Sequence, residues 1–167
     1  MHLRAGAVVE PYHAESADLE IAVRTHPTLE LSAISKPERR AGIYTYQEKY
    51  VGGEGMVSAA REMNPTLPGS ATSTVRDVAA RIAVATRLRG VARVDFLLAD
   101  DVVYLNEVNT IPGSLARHLW VDPEVTFIDL LDGMLAEAVA RPTTHWTTAG
   151  ADGSALRSAG DIGGKLG

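Results

Sequence analysis

Val91-Ala92-Arg93-Val94-Asp95-Phe96-Leu97-Leu98, then Ala99-Asp100-Asp101, then Val102-Val103-Tyr104-Leu105-Asn106-Glu107-Val108-Asn109: the fold turns on this stretch. Two runs rich in β-branched and aromatic residues, joined by a short acidic turn, read as an antiparallel hairpin. With the turn centred on Asp101, Asp95 faces Glu107 and Arg93 faces Asn109. Directly opposite residues lie about 4.5–5.5 Å apart and share a face. One face then carries Arg93, Asp95, Glu107 and Asn109 at the open end, with Leu97, Val103 and Leu105 nearer the turn. The other carries Val94, Phe96, Leu98, Tyr104 and Val108, with Asn106 as its polar exception.

Two carboxylates so close repel unless a proton or a cation lies between them. Asp, Glu and the amide oxygen of Asn are hard donors that suit Mg²⁺ or Mn²⁺. Magnesium keeps positions for water and phosphate, so this set of ligands asks for a phosphorylated partner. Arg93 adds a planar donor for a phosphate or a developing oxyanion. The same groups also suit a structural acid–arginine network on an exposed sheet, and spacing alone leaves both readings open. Thr110-Ile111-Pro112-Gly113-Ser114 follows at once, a Pro-Gly turn whose backbone N–H groups a ligand approaches without a side chain in the way.

Outward from the hairpin, Val75 to Arg89 has helical spacing, with Thr74 as cap, Asp77 three residues on and Gly90 as the stop. A second helix starts at Thr126, with Asp129 three on and Phe127, Leu130, Leu131, Met134, Leu135 and Val139 at helical spacing. Upstream, Ala7–Glu10, Leu19–Val23 and Thr28–Ser35 read as strands, and Pro37 to about Ser73 as a long binding loop or insertion. The fold class is therefore α+β, a mostly antiparallel sheet flanked by helices. Residues 1–141 are expected to form one domain and 142–167 a surface tail, partly disordered or a short helix.

Acids and bases are interspersed at a net charge of −5, which excludes the clustered basic face that nucleic acid requires. There is no cysteine, so disulfides, zinc–thiolate sites and thiol nucleophiles are excluded together. No apolar run approaches the ~20 residues of a membrane span. A cytoplasmic protein without nucleic-acid or membrane partners is expected. His2, His13, His26 and His145 lack metal-ligand spacing.

Ala92-Arg93-Val94-Asp95-Phe96 together with Leu105-Asn106-Glu107-Val108-Asn109-Thr110-Ile111-Pro112-Gly113 resembles the signature of the D-alanine–D-alanine ligase branch of the ATP-grasp enzymes. Val9-Glu10-Pro11-Tyr12, Leu19-Glu20-Ile21-Ala22-Val23 and Tyr46-Gln47-Glu48-Lys49-Tyr50 extend the likeness over roughly residues 7–140. The resemblance implies the C-terminal part of an ATP-grasp domain with a mobile loop. By it, Asp95, Glu107 and Asn109 hold two Mg²⁺ (or Mn²⁺) ions on ATP, while Arg93 and the backbone of Gly113 stabilise a tetrahedral intermediate. Lys49 neutralises the γ-phosphate and Tyr50 closes the loop. Glu20 binds the ribose and Glu10 lies beside the adenine. The implied reaction joins a carboxylate to an amine through an acyl phosphate, for a peptidoglycan precursor.

Two departures shape the expectation. Where the family has a Ser-Leu pair for the acceptor carboxylate, this chain has His118-Leu119, which leaves the amino or hydroxy acid substrates open. His118 reads equally as a carboxylate binder or a packed neutral ring. The family's N-terminal half is missing, so a C-terminal fragment inactive alone is expected, with a cleft wall prone to association and a homodimer among the outcomes. A ligase with another acceptor and a non-catalytic nucleotide-binding remnant are the competing readings.

Overall fold

The computed structural model describes residues 9–38 and 60–141. Five strands, β1 (Ala17–Arg24), β2 (Glu30–Pro37), β3 (Arg61–Met63), β4 (Val91–Ala99) and β5 (Val102–Asn109), form one sheet in the order β3-β2-β1-β4-β5. Every neighbouring pair is antiparallel. Helix α1 (Ala71–Ala85) and helix α2 (Phe127–Ala140) flank it, and a turn segment spans Gly113–Leu119. The expected α+β class holds.

The sheet is covered on both sides, unequally. Leu19, Ile21, Val23, Ile34, Val94 and Phe96 pack against Val75, Ala79 and Ala83 of α1. The helix meets the sheet through small residues four apart, so its backbone lies close. On the opposite face Ala22 and Val91 pack against Ala116, Leu119, Trp120 and Leu130. Among the described residues that second core caps only one end of its face, and Glu20, Arg93, Asp95, Glu107 and Asn109 lie on the same face beyond it.

The β4–β5 hairpin departs from the expected register near its tip. Asp100 and Asp101 both take left-handed backbone (φ 49° and 63°), a two-residue turn that makes Ala99 the partner of Val102. Phe96 then pairs with Leu105 and Leu97 with Tyr104. A bulge of one extra residue on β5 restores the expected pairing beyond it, with Asp95 opposite Glu107 and Arg93 opposite Asn109. The correction is that Tyr104 shares the face of Asp95, while Val103 and Leu105 share that of Phe96. Val102 to Leu105 is apolar throughout, so alternation could not assign the faces.

Other boundaries moved for physical reasons. Helix α1 begins at Ala71, whose side chain is buried, so Thr74 and Asp77 lie inside the helix rather than at its cap. Its stop is Arg87 (φ 51°), with Leu88 N–H bonded to the Ala83 carbonyl and Arg87 N–H to that of Val84. Gly90 instead leads into β4. Val9 and Glu10 form no strand. The three residues of β3 give regular structure to a stretch expected to have little. Helix α2 starts as expected, with the Thr126 hydroxyl accepting from the Asp129 N–H. Of its apolar positions, Leu130 is buried and Met134 packs on the second core, whereas Phe127, Leu131, Leu135 and Val139 are exposed.

Candidate functional site

One row of residues crosses the whole sheet. Met63 faces Ser35, Ser35 faces Glu20, Glu20 faces Asp95 and Asp95 faces Glu107. In the next row Ala22, Arg93 and Asn109 are neighbours. Three carboxylates and an arginine therefore share one face because strand pairing sets them there. Glu107 is exposed and Asp95 is largely covered.

Arg93 is buried and grips Asp95 with two hydrogen bonds, Nε to Oδ1 at 2.6 Å and Nη2 to Oδ2 at 2.7 Å. Its third nitrogen lies 3.7 Å from Glu20. The bond to Asp95 pushes the guanidinium above its ordinary pKa against the opposing effect of burial, and the charges of Asp95, Glu20 and Glu107 add to it. On β5 the Asn109 amide donates to Glu107 Oε1 at 3.2 Å.

Glu20 collects three basic groups. Arg61 Nη1 stands 3.0 Å from its Oε2, and His118 Nε2 lies 3.6 Å from the same oxygen. Burial pushes this carboxyl up, but His118, Arg93 and Arg61 together outweigh it and hold it below its usual range. At 3.6 Å the histidine contact exceeds hydrogen-bond length, and Nε2 is buried without a hydrogen-bond partner among the described residues. His118 thus faces the site, while Leu119 beside it is wholly buried in the second core, where it packs rather than meets a ligand.

The turn after β5 is unusual. Ser114, Leu115 and Ala116 all wind left-handed (φ 49°, 53° and 52°), a conformation costing roughly 1–2 kcal/mol per residue. Buried Ala116 and Leu119 anchor it. Among the described residues a Cβ on Gly113 would meet no atom within 4 Å, and its φ is not left-handed, so neither packing nor conformation calls for glycine there. Open space over that backbone is what a ligand's close approach would need.

Of the residues singled out from sequence, the fold unites Glu20, Arg93, Asp95, Glu107, Asn109 and His118. Glu10 stands exposed ahead of β1. Lys49 and Tyr50 lie outside the described residues. Sequence reading missed Arg61, because a three-residue edge strand has no periodicity to reveal it, and Ser35, whose partners Glu20 and Met63 lie on other strands. It also missed the stack of His13 on Tyr104 (centroids 4.5 Å apart), which no local pattern signals.

Among the described residues no three His, Asp or Glu side chains converge as a ready metal cluster. The donors nonetheless fit a hard divalent cation by type. Glu20, Asp95 and Glu107 carry three negative charges against two positive ones on Arg61 and Arg93, which leaves the face in negative surplus when His118 is neutral. No helix among the described residues is long and apolar enough to cross a membrane.

Comparison with known proteins agrees with this geometry. A family model described as D-ala D-ala ligase C-terminus matches residues 3–136. A D-alanine–D-alanine ligase of Thermosipho africanus is 30% identical over 125 residues, covering 74% of this chain and 34% of that protein. The crystal structure of D-alanyl-alanine synthetase A from Vibrio cholerae shares the fold at a TM-score of 0.63 and 23% identity, over 77% of this chain and 40% of that one. A Bacillus anthracis D-alanine–D-alanine ligase complexed with ATP follows at 0.56 and 18%, over 75% and 39%. The chain spans about a third of the length of the curated relatives it matches. Sheet, signature and matched span agree, and the chain belongs to the D-alanine–D-alanine ligase C-terminus family.

Proposed function

We propose that this chain forms the cation- and phosphate-holding wall of an ATP-dependent carboxylate–amine ligase of the D-alanine–D-alanine type, serving peptidoglycan precursor synthesis. The observation that carries the reading is the row Glu20–Asp95–Glu107 beside Arg93 and Asn109. A structural network has no need to gather three carboxylates on neighbouring strands, since like charges side by side destabilise a sheet.

Asp95, Glu107 and the Asn109 amide oxygen would hold two divalent cations of the Mg²⁺ or Mn²⁺ class. Such ions, when bound, neutralise polyphosphate oxygens and orient the phosphoryl group that is transferred. By family likeness Glu20, one strand away, would accept from ribose hydroxyls, and Glu10 would lie on the adenine side. Lys49 and Tyr50 take the γ-phosphate and loop-closing roles by family likeness alone. In the reaction a substrate carboxylate oxygen attacks the γ-phosphorus and ADP leaves. The acceptor amine then attacks the acyl carbon, loses a proton and expels phosphate. Arg93 and the Gly113 N–H would stabilise the oxyanion of that second step, which relies on positioning and charge rather than on a protein nucleophile. Two amino or hydroxy acids are the substrate class; His118 stands at the family's acceptor position by likeness and contacts Glu20.

Calorimetric titration of Mg-ATP into the chain and its Glu107→Gln variant tests this reading. The variant is expected to bind at least about tenfold more weakly, the loss of roughly 1.4 kcal/mol or more. Equal affinity in the two proteins would overturn it.

A further inference from the structure

Arg93 has two acidic neighbours and divides itself unequally between them, at 2.6 Å and 2.7 Å from Asp95 but 3.7 Å from Glu20. A lone Glu20, 12% exposed, would compete for that arginine, because a mostly buried carboxylate needs a counter-charge. Arg61 meets the need from the other side. It reaches from β3 across Ser35, with Nη1 3.5 Å from the serine hydroxyl and 3.0 Å from Glu20. Its own side chain is 13% exposed, so the pair is shielded from salt and water. His118 adds charge only when protonated.

We propose that Arg61 is a counter-ion of Glu20, a positioning residue that cancels the glutamate's charge, reserves Arg93 for Asp95 and substrate, and lowers the affinity of the carboxylate face for divalent cations. The inference rests on the reading of that face as a cation site and adds to it a residue from outside the signature hairpin. Its consequence is a matter of sign. The Arg61–Glu20 pair is neutral as a unit, so removing the cation leaves one more negative charge beside Asp95 and Glu107. Removing the acid leaves one more positive charge. Cation affinity should move in opposite directions, and removing both should return it to its starting value.

Binding of Mn²⁺ alone, followed by electron paramagnetic resonance, reads this directly. Arg61→Gln is expected to bind Mn²⁺ about threefold or more tightly than the unaltered chain, and Glu20→Gln more weakly by a similar factor. The Glu20→Gln/Arg61→Gln double variant and Arg61→Lys are expected to match the unaltered chain. A residue that merely supported the fold would weaken binding whenever it was changed. If Arg61→Gln proves unfolded by circular dichroism, the comparison of Glu20→Gln with the double variant decides: recovery supports the pair, and no recovery overturns it. Unchanged or weaker binding in folded Arg61→Gln, with Glu107→Gln still defective, would sink this inference and leave the cation site standing. Failure of the unaltered chain to bind Mn²⁺ would sink both.

Discussion

Glu20 is the residue at which burial and charge oppose each other most directly. Desolvation alone would favour its neutral form, yet three basic neighbours hold its pKa below the reference value of 4.5. The sign of the consequence follows. Near that value the unfolded chain binds more protons than the folded one, so stability rises with pH across the window. The contribution is present above the unfolded pKa and is lost as pH falls through the lower, folded one. Urea midpoints measured from roughly pH 6 down to pH 3 should therefore drop for the unaltered chain, and drop less for Glu20→Gln. A parallel decline in the two proteins would show that Glu20 contributes nothing to the acid limb. Its place among basic groups was invisible in the sequence. Glu20 and its three partners come from four separate elements, and nothing local ties Arg61 or His118 to it.

At the scale of the element, the hairpin shows what a sequence can and cannot reveal. Asp95 opposite Glu107 was legible, though only because the bulge offsets the two-residue turn, which by itself would set Asp95 opposite Asn106. The bulge was not, because four successive apolar residues on β5 suit either face. Helix α2 repeats the lesson from the other side. Its cap at Thr126 is a local pattern and was readable. Its buried anchor, Glu137, was not, since a glutamate at helical spacing looks solvated. That carboxylate is 2% exposed and accepts from the Gly90 N–H at 2.6 Å and the Thr25 hydroxyl at 3.0 Å, with Arg141 2.8 Å away. It thereby ties α2 to the end of β1 and the start of β4. Glu137→Ala would leave the buried Thr25 hydroxyl and the half-buried Gly90 N–H unmet and is expected to cost about 2–4 kcal/mol. Chemical denaturation measures this, and a change under about 0.5 kcal/mol, typical of surface substitutions, would show the tie to be idle.

For the whole molecule, the sheet's two faces have different work. Among the described residues one is sealed by α1, and the other is sealed at one end and carries the acidic row beyond it. Such a division makes ligand binding and folding separable, since the residues proposed to hold cations lie outside both cores. Glu107 is the cleanest place to see it. The side chain is exposed and bonded only to Asn109 among the contacts described, so Glu107→Gln should barely alter stability without ligand. With Mg²⁺ and ATP present the two proteins should part. A ligand at a hundred times its dissociation constant stabilises the folded state by about 2.7 kcal/mol. At roughly 2–4 °C per kcal/mol for a chain of this size, the unaltered protein should melt several degrees higher when loaded. Glu107→Gln, matched in its unloaded melting temperature and binding at least about tenfold more weakly, should show about half of that rise or less at the same concentration. Thermal melts with and without Mg-ATP check this. Equal rises would place the bound ligand away from the β4–β5 face, and a lower unloaded melting temperature for the variant would mean that the acid serves the fold instead.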